Sequence, residues 1–329
     1  MKKLHFKDDL LTVALLLAFA PAAGASSFSA SIGLNIPGGG SQSVFNAPSQ
    51  AVVQQGAPQG TGIAGSTGGR VGFNAVISLD PPNGPSNTTG SLGGTAQSFF
   101  DDVILSGLNA TITRPFSIPF EGIFGYTVDL FGTGFEQSFV SGEIDLNGSI
   151  ACFCNVPNSF FPGGVSIGFD SRSDASILQS NNSTQNLQLI SSLSIPISVQ
   201  GQALAGVRVT RMYGVSGAIS GTITEPTGVP LALQLRLDAT GQIVANGFGG
   251  GSVFIDFFHT LGFEDGSPVF DLPAGYSADS VSMGLVNNVV GTAAANTPEP
   301  ATIGLTMAAL IGIGLLRQRS QGAEVGRLR

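Results

Sequence analysis

Apolar and polar residues alternate along most of the chain, and the alternation has the period of strands. Between Gly, Pro and Asn breaks, the runs at 110–118, 125–131, 136–146, 149–153, 187–199, 207–223, 231–237 and 252–263 are β-branched or aromatic. Leu231–Leu237 (LALQLRL) shows the pattern cleanly, with leucine at every second position from 231 to 237. No window of twelve or more residues in this body has helical periodicity, apart from a weak one over Asp174–Ile190. Within Glu136–Phe153, Phe139, Ile144, Leu146, Ile150 and Phe153 supply apolar positions for two strands, and Asn147-Gly148 between them predicts a tight type I′ hairpin turn. Upstream, residues 26–97 are rich in Gly, Ser, Gln, Asn and Pro and offer one strand, Val71–Leu79. Many short strands with turn signals predict an all-β chain: an antiparallel β-sandwich or jelly-roll-like body, a flexible Gly/Ser/Gln-rich N-terminal region and a C-terminal apolar helix. The divisions read from the pattern are a signal peptide over 1–25, the extension with its one short strand over 26–97, the sandwich body over 98–295, and a sorting or anchor segment over 296–329.

Charge sharpens this picture. Only 10% of the residues are charged, against roughly 25% in an ordinary soluble domain. Lys2, Lys3 and Lys7 are all the lysines, and Arg317, Arg319, Arg327 and Arg329 crowd the other end. Between Ser26 and Thr297 six arginines face seventeen acids, a net charge of −11. A nucleic-acid surface needs a basic footprint to neutralise phosphates, so that class of partner is excluded.

The two ends read as addresses. Lys2, Lys3 and Lys7, the apolar run Leu10–Phe19 and the small residues Ala23-Gly24-Ala25 make the three parts of a secretory leader. At the far end Pro298-Glu299-Pro300 precedes sixteen mostly apolar residues, Ala301–Leu316, and then Arg317-Gln318-Arg319. A helix of that length rises about 24 Å, short of a hydrocarbon core of roughly 30 Å. The flanking Arg317 and Arg319 would hold its end on the cytoplasmic side.

In this order, triplet, apolar run and basic end resemble the PEP-CTERM sorting signal of exported proteins from Gram-negative bacteria. The resemblance implies processing near Pro298, Glu299 and Pro300 by an exosortase, a membrane-embedded cysteine protease, and transient or permanent membrane attachment through the tail. It also implies display on the cell surface or release into an exopolysaccharide matrix. His259–Phe263, Pro268–Phe270, Leu272–Tyr276 and Asn287-Asn288 are similar to a segment that closes the extracellular domain of many such proteins, as a β-hairpin.

Several patterns carry candidate chemistry. Gly164-Val165-Ser166-Ile167-Gly168 matches the G-x-S-x-G nucleophile elbow with His259 downstream, yet neither a parallel-sheet pattern nor a good helix surrounds it. Gly60-x-Gly62-x-x-Gly65 matches a dinucleotide fingerprint but reads as loop. Glu143-x-Asp145-x-Asn147-Gly148 opens like a calcium loop, and Asp101-Asp102 and Glu264-Asp265 are further oxygen pairs; solvated turns are the favoured alternative to Ca²⁺. Cys152 and Cys154 fall on one side of a strand, where a disulfide and free thiols are both open. The expectation is a non-enzymatic exported protein, without a required cofactor or metal, acting in adhesion or matrix structure with extracellular polysaccharide as a candidate partner. The alternative is an extracellular hydrolase of polysaccharides or esters, which would need carboxylates brought together across a sheet.

Overall fold

The strand periodicity of the sequence becomes seventeen antiparallel strands in a computed structural model that describes residues 26–47, 50–79, 88–131, 138–152, 160–198, 205–245, 249–263 and 265–291. No helix occurs among the described residues, and none of them forms a helix long and apolar enough to cross a membrane. The apolar C-terminal run, Pro298–Pro300, Arg317 and Arg319, and the N-terminal leader lie outside the described residues.

Fifteen of the strands build two sheets. The first contains β1 (Ser27–Asn35), β2 (Ser41–Ala47), β6 (Thr88–Ser106), β8 (Phe139–Cys152), β9 (Phe160–Asp170), β10 (Ser173–Asn181) and β13 (Pro230–Ala245), in the order β10-β9-β8-β13-β6-β1-β2. A short β15 (Ser277–Asp279) adds to the end of β6. The second runs β11-β12-β7-β14-β5-β4-β3. Its members are β3 (Gln50–Ala57), β4 (Gly60–Thr67), β5 (Arg70–Leu79), β7 (Thr111–Phe131), β11 (Ser183–Ser198), β12 (Ala205–Pro226) and β14 (Gly251–Gly262). The inner faces of both sheets contribute to one continuous cluster of buried side chains, so the described body is all-β, with two antiparallel sheets sharing a core. On β13 the leucines at 231, 233, 235 and 237, then Ala239, Ile243 and Ala245, are all buried, as the alternation requires.

The 26–97 stretch is corrected by the structure. It holds β1 to β5 and the first half of β6, not a loose extension with one strand. Small residues hid these strands, because several of their core-facing positions are glycine or alanine. A Cβ on Gly62 would meet the Ile32 side chain, and one on Gly94 would strike the Phe73 ring. The same complementarity recurs at Gly122 with Phe257 and Gly142 with Phe169. Large rings on one strand fill the space that glycine leaves on its neighbour. Much of the glycine in the chain is therefore packing, not punctuation.

Two further expectations change. Asn147-Gly148 is no turn: both residues sit inside β8, paired on one side with β13 and on the other with β9. Gly148 is there because a Cβ would come within 2.7 Å of Ile118 Cδ1 on the facing sheet. The weak helical spacing over 174–190 belongs to β10 and β11, joined at Asn182 (φ 49°). Register shifts between Ile177 and Gln179 and between Leu189 and Ser191 place apolar residues side by side, which imitates a helical period.

The described chain closes with the hairpin of β16 (Leu285–Val286) and β17 (Val289–Val290), turned by Asn287 and Asn288 at positive φ (51° and 69°). Asn288 is buried and grips Phe270 twice: its Oδ1 accepts from the Phe270 N–H (2.9 Å) and its Nδ2 donates to the Phe270 carbonyl (2.6 Å). Asp102 on β6 fastens the same region, accepting hydrogen bonds from the Ser280 hydroxyl (2.6 Å), the Ser282 N–H (2.9 Å) and the Ser282 hydroxyl.

Candidate functional site

The outer face of the first sheet gathers the polar chemistry of the body. Because cross-strand partners share a face, the register defines a row across seven strands: Gln179, Ser166, Asp145, Asp238, Thr95, Ser31 and Ser43. At a strand spacing of about 4.8 Å the row is roughly 29 Å long. Glu143 and Thr240 pair in the adjacent row on one side, Asn147 and Arg236 in that on the other.

Each member is set by alternation along its own strand. Ile144 and Leu146 of β8 point into the core, so Glu143, Asp145 and Asn147 are turned outward. On β13 the buried Leu235, Leu237 and Ala239 do the same for Arg236, Asp238 and Thr240. Arg236 clamps the Asp238 carboxylate through Nε (2.6 Å) and Nη2 (3.0 Å), while Thr95 donates its hydroxyl to Asp238 Oδ1 (2.6 Å). Ser166 donates to Glu143 Oε1 (2.9 Å). Asp145, directly opposite Asp238, titrates above the usual carboxylate range. Partial burial is the main cause, the Ser166 hydroxyl opposes it, and the Glu143 and Asp238 charges add to it. Three carboxylates, one guanidinium and a row of hydroxyls and amides are suited to exchanging hydrogen bonds with a polyhydroxylated surface, since an ionised carboxylate accepts from two hydroxyls at once.

A second polar group sits where β10, β12 and β7 come together. Tyr213 donates to Asp174 Oδ1 (2.6 Å) and Arg211 pairs with the same carboxylate. The Tyr213 ring stacks on Phe124 at 5.2 Å between centroids, and Phe124 meets Phe169 at the same separation. The Tyr213 hydrogen bond first, and then Arg211, hold Asp174 below its ordinary range. Tyr126 and Tyr213 are both buried, so this group braces the core and presents no ring to solvent.

No protein-family model and no curated protein matches the chain.

The other sequence candidates separate in space. Gly164–Gly168 lies wholly inside β9, without the strand-to-helix turn that a nucleophile elbow requires. Ser166 belongs to the first sheet and His259 to β14 of the second; the His259 side chain lies outside the described residues. Gly60–Gly65 is strand β4 and not loop. The Glu143–Gly148 stretch is extended strand, not a calcium loop. Asp102 is engaged by Ser280 and Ser282, and Asp265 pairs with Arg70 at 3.3 Å, while Glu264 lies outside the described residues. Among the described residues no group of three or more His, Cys, Asp or Glu side chains could hold a metal ion. Cys152 ends β8, but its side chain and Cys154 are outside the described set. The pairing of Asp145 with Asp238 was not foreseen. The two are 93 positions apart, and only the β8–β13 register joins them.

Proposed function

We propose that the chain is an exported structural or adhesion protein, sorted through Pro298-Glu299-Pro300 and held at the cell surface or in the extracellular matrix. Its polar sheet face is the contact surface for extracellular polysaccharide. The observation that carries this reading is the seven-strand row from Gln179 to Ser43, broad and rich in hydroxyls, with Asp145 and Asp238 near its centre. The leader, the resemblance of the tail to PEP-CTERM signals and the low cation content of the body support export. In this reading an exosortase-type protease is the processing partner, and Arg317 and Arg319 keep the tail oriented until cleavage.

Affinity electrophoresis tests the contact surface, in gels cast with the polysaccharide secreted by the source cells. The full chain should be retarded, and Asp145→Ala with Thr95→Ala should run as though the polymer were absent. Equal retardation of chain and variant would remove the face from the account. One observation favours the hydrolase reading: Asp145 faces Asp238 directly, and the two carboxylates sit in different surroundings, Asp238 being clamped by Arg236. Release of reducing ends by the chain, abolished in Asp145→Asn and Asp238→Asn, would establish that reading instead.

A further inference from the structure

Two phenylalanines stand on the polar face of the first sheet, near its β2 edge. Phe45 of β2 is 68% exposed. Its direction follows from its neighbours: Ser43 pairs with Ser31 on the outer face, while Val44 pairs with the buried Ala30 and packs against the core. Alternation then turns Phe45 outward. Phe99 of β6 lies between the buried Ser98 and Phe100 and pairs with Ser27 and Gln234, so it also faces outward and is only partly buried.

The backbone is shaped to present Phe45. The β1–β2 register shifts so that Phe45 and Asn46 both stand opposite Ser29. This is a bulge: Asn46 takes a positive φ of 51°, and its N–H donates to the Ser29 hydroxyl (3.2 Å). Bulges at sheet edges re-aim side chains, and the side chain brought out here is an apolar ring. On its other side Ser29 pairs with Gln97, and Ser27 with Phe99 is the next outward pair along the same strands. Phe45 and Phe99 are thus two strands and one outward step apart, roughly 12 Å at about 4.8 Å between strands and about 3.4 Å per residue. The hydroxyls of Ser43, Ser31 and Thr95 form the adjoining row.

Charge on this face narrows what such rings can meet. Among the described residues two arginines reach it, and each is spent on a carboxylate of its own. Arg236 holds Asp238, and Arg172, lying over the Phe139 ring, holds Asp170 through Nε (3.0 Å) and Nη2 (2.6 Å). Glu143 and Asp145 pair with no cation among the described residues. A polyanion would meet these carboxylates and find no free guanidinium, so polyuronates and sulfated polymers are disfavoured. An aromatic face is electron-rich and attracts weakly positive C–H groups. A pyranose ring offers C–H bonds on its flat faces and hydroxyls around its rim.

We propose that Phe45 and Phe99 are the stacking platform of the polysaccharide surface, and that the polymer it takes is a neutral glycan of pyranose rings. Sugar faces lie on the two phenyl rings, and rim hydroxyls exchange hydrogen bonds with the serine and threonine row. The proposal rests on the reading of this face as a polysaccharide contact, and adds the residues that hold the sugar ring and the class of polymer.

Affinity electrophoresis of the full chain in non-ionic detergent tests it, in gels cast with the polysaccharide secreted by the source cells, with three neutral polymers (a β-glucan, a dextran and a galactomannan) or with alginate. We expect retardation by the secreted polymer and by at least one neutral polymer, and none by alginate. Phe45→Ala and Phe45→Leu should each weaken binding about three- to tenfold, the leucine because it keeps apolar bulk without a π face, and Phe45→Trp should bind at least as well as the unmodified chain. Urea unfolding should not distinguish these variants, since the site is exposed, so a lost contact is told from a lost fold. Binding indifferent to Phe45→Ala and Phe45→Leu, but still abolished by Asp145→Ala with Thr95→Ala, overturns the platform and leaves the face in place. Retardation by alginate as strong as by the neutral polymers overturns the polymer class, as does retardation by the secreted polymer with none by the neutral three. No retardation in any gel removes the polysaccharide reading itself, and the platform with it.

Discussion

Glu225 is a buried carboxyl in the wrong place for an ion. It is 1% exposed and its Oε2 has no hydrogen-bond partner. The register sets it opposite Ile112, on the core side of β12 with Ile219 and Ile223. Arg114 is the cation diagonal to it across the β7–β12 pair, but no ion pair joins them among the described residues. Burial accordingly pushes the Glu225 carboxyl from 4.5 up to about 7. Its proton is therefore bound more tightly in the folded than in the unfolded chain. Below pH 4.5 both states are protonated and nothing is lost. As pH rises from there, the unfolded state ionises first, and stability falls until the folded state ionises near pH 7. At roughly 1.4 kcal/mol for each pH unit the loss amounts to about 3 kcal/mol. Glu225→Gln removes the titration. Urea unfolding of chain and variant from pH 4 to pH 8 should give curves that converge in acid and separate by about 3 kcal/mol in favour of the variant at pH 8. In melting temperature this is roughly 4–5 °C for a protein of this size. A separation that stays constant with pH would refute the reasoning, because a packing effect of the substitution has no reason to titrate.

Other outcomes follow from the packing. Asn288→Ala leaves the N–H and carbonyl of Phe270 unpaired in a buried position, and should cost about 2–4 kcal/mol in urea unfolding. Gly94→Ala drives a methyl group into the Phe73 ring and the Ser31 carbonyl and should cost at least about 1–3 kcal/mol, partly restored by Phe73→Leu. Ser280→Ala with Ser282→Ala removes the hydroxyl donors to Asp102; amides over 265–291 should then exchange faster while those of β13 keep their protection. For Asp102, burial acts to raise the carboxyl, but the Ser280 and Ser282 hydrogen bonds outweigh it and hold it low, so in the unmodified chain this fastening should weaken only in acid.

The sequence was most legible where apolar side chains mark every second position. β14 lies within one residue of the predicted run at each end, and β13 starts within one residue of its run but continues eight residues past it, where Ala239 and Gly241 replace leucine at the core-facing places. It was least legible where the inner position is a glycine whose space is filled by a large side chain from another strand. β4 is the clearest case: Gly60 and Gly62 face Ile77 and Ile32, and the local pattern reads as loop. Asn147-Gly148 misled for a related reason, since the demand for glycine comes from Ile118 on the opposite sheet and not from a left-handed turn. The polar face was half visible. Glu143, Asp145 and Asn147 alternate in plain sight, but their proximity to Asp238, Thr95 and Ser31 is a property of strand order, which local pattern does not encode. The sorting tail is the reverse case: its reading rests on sequence alone.

The central claim is export followed by sorting at Pro298-Glu299-Pro300, and cell fractionation in an exosortase-positive host tests it most directly. The unmodified chain should reach the surface or medium shortened at its C-terminus, as mass spectrometry of the last peptide would show. The variant with all three residues replaced by alanine should remain full length at that end and be retained in the inner membrane. Release or surface display of the triple-alanine variant at the unmodified level would contradict the account.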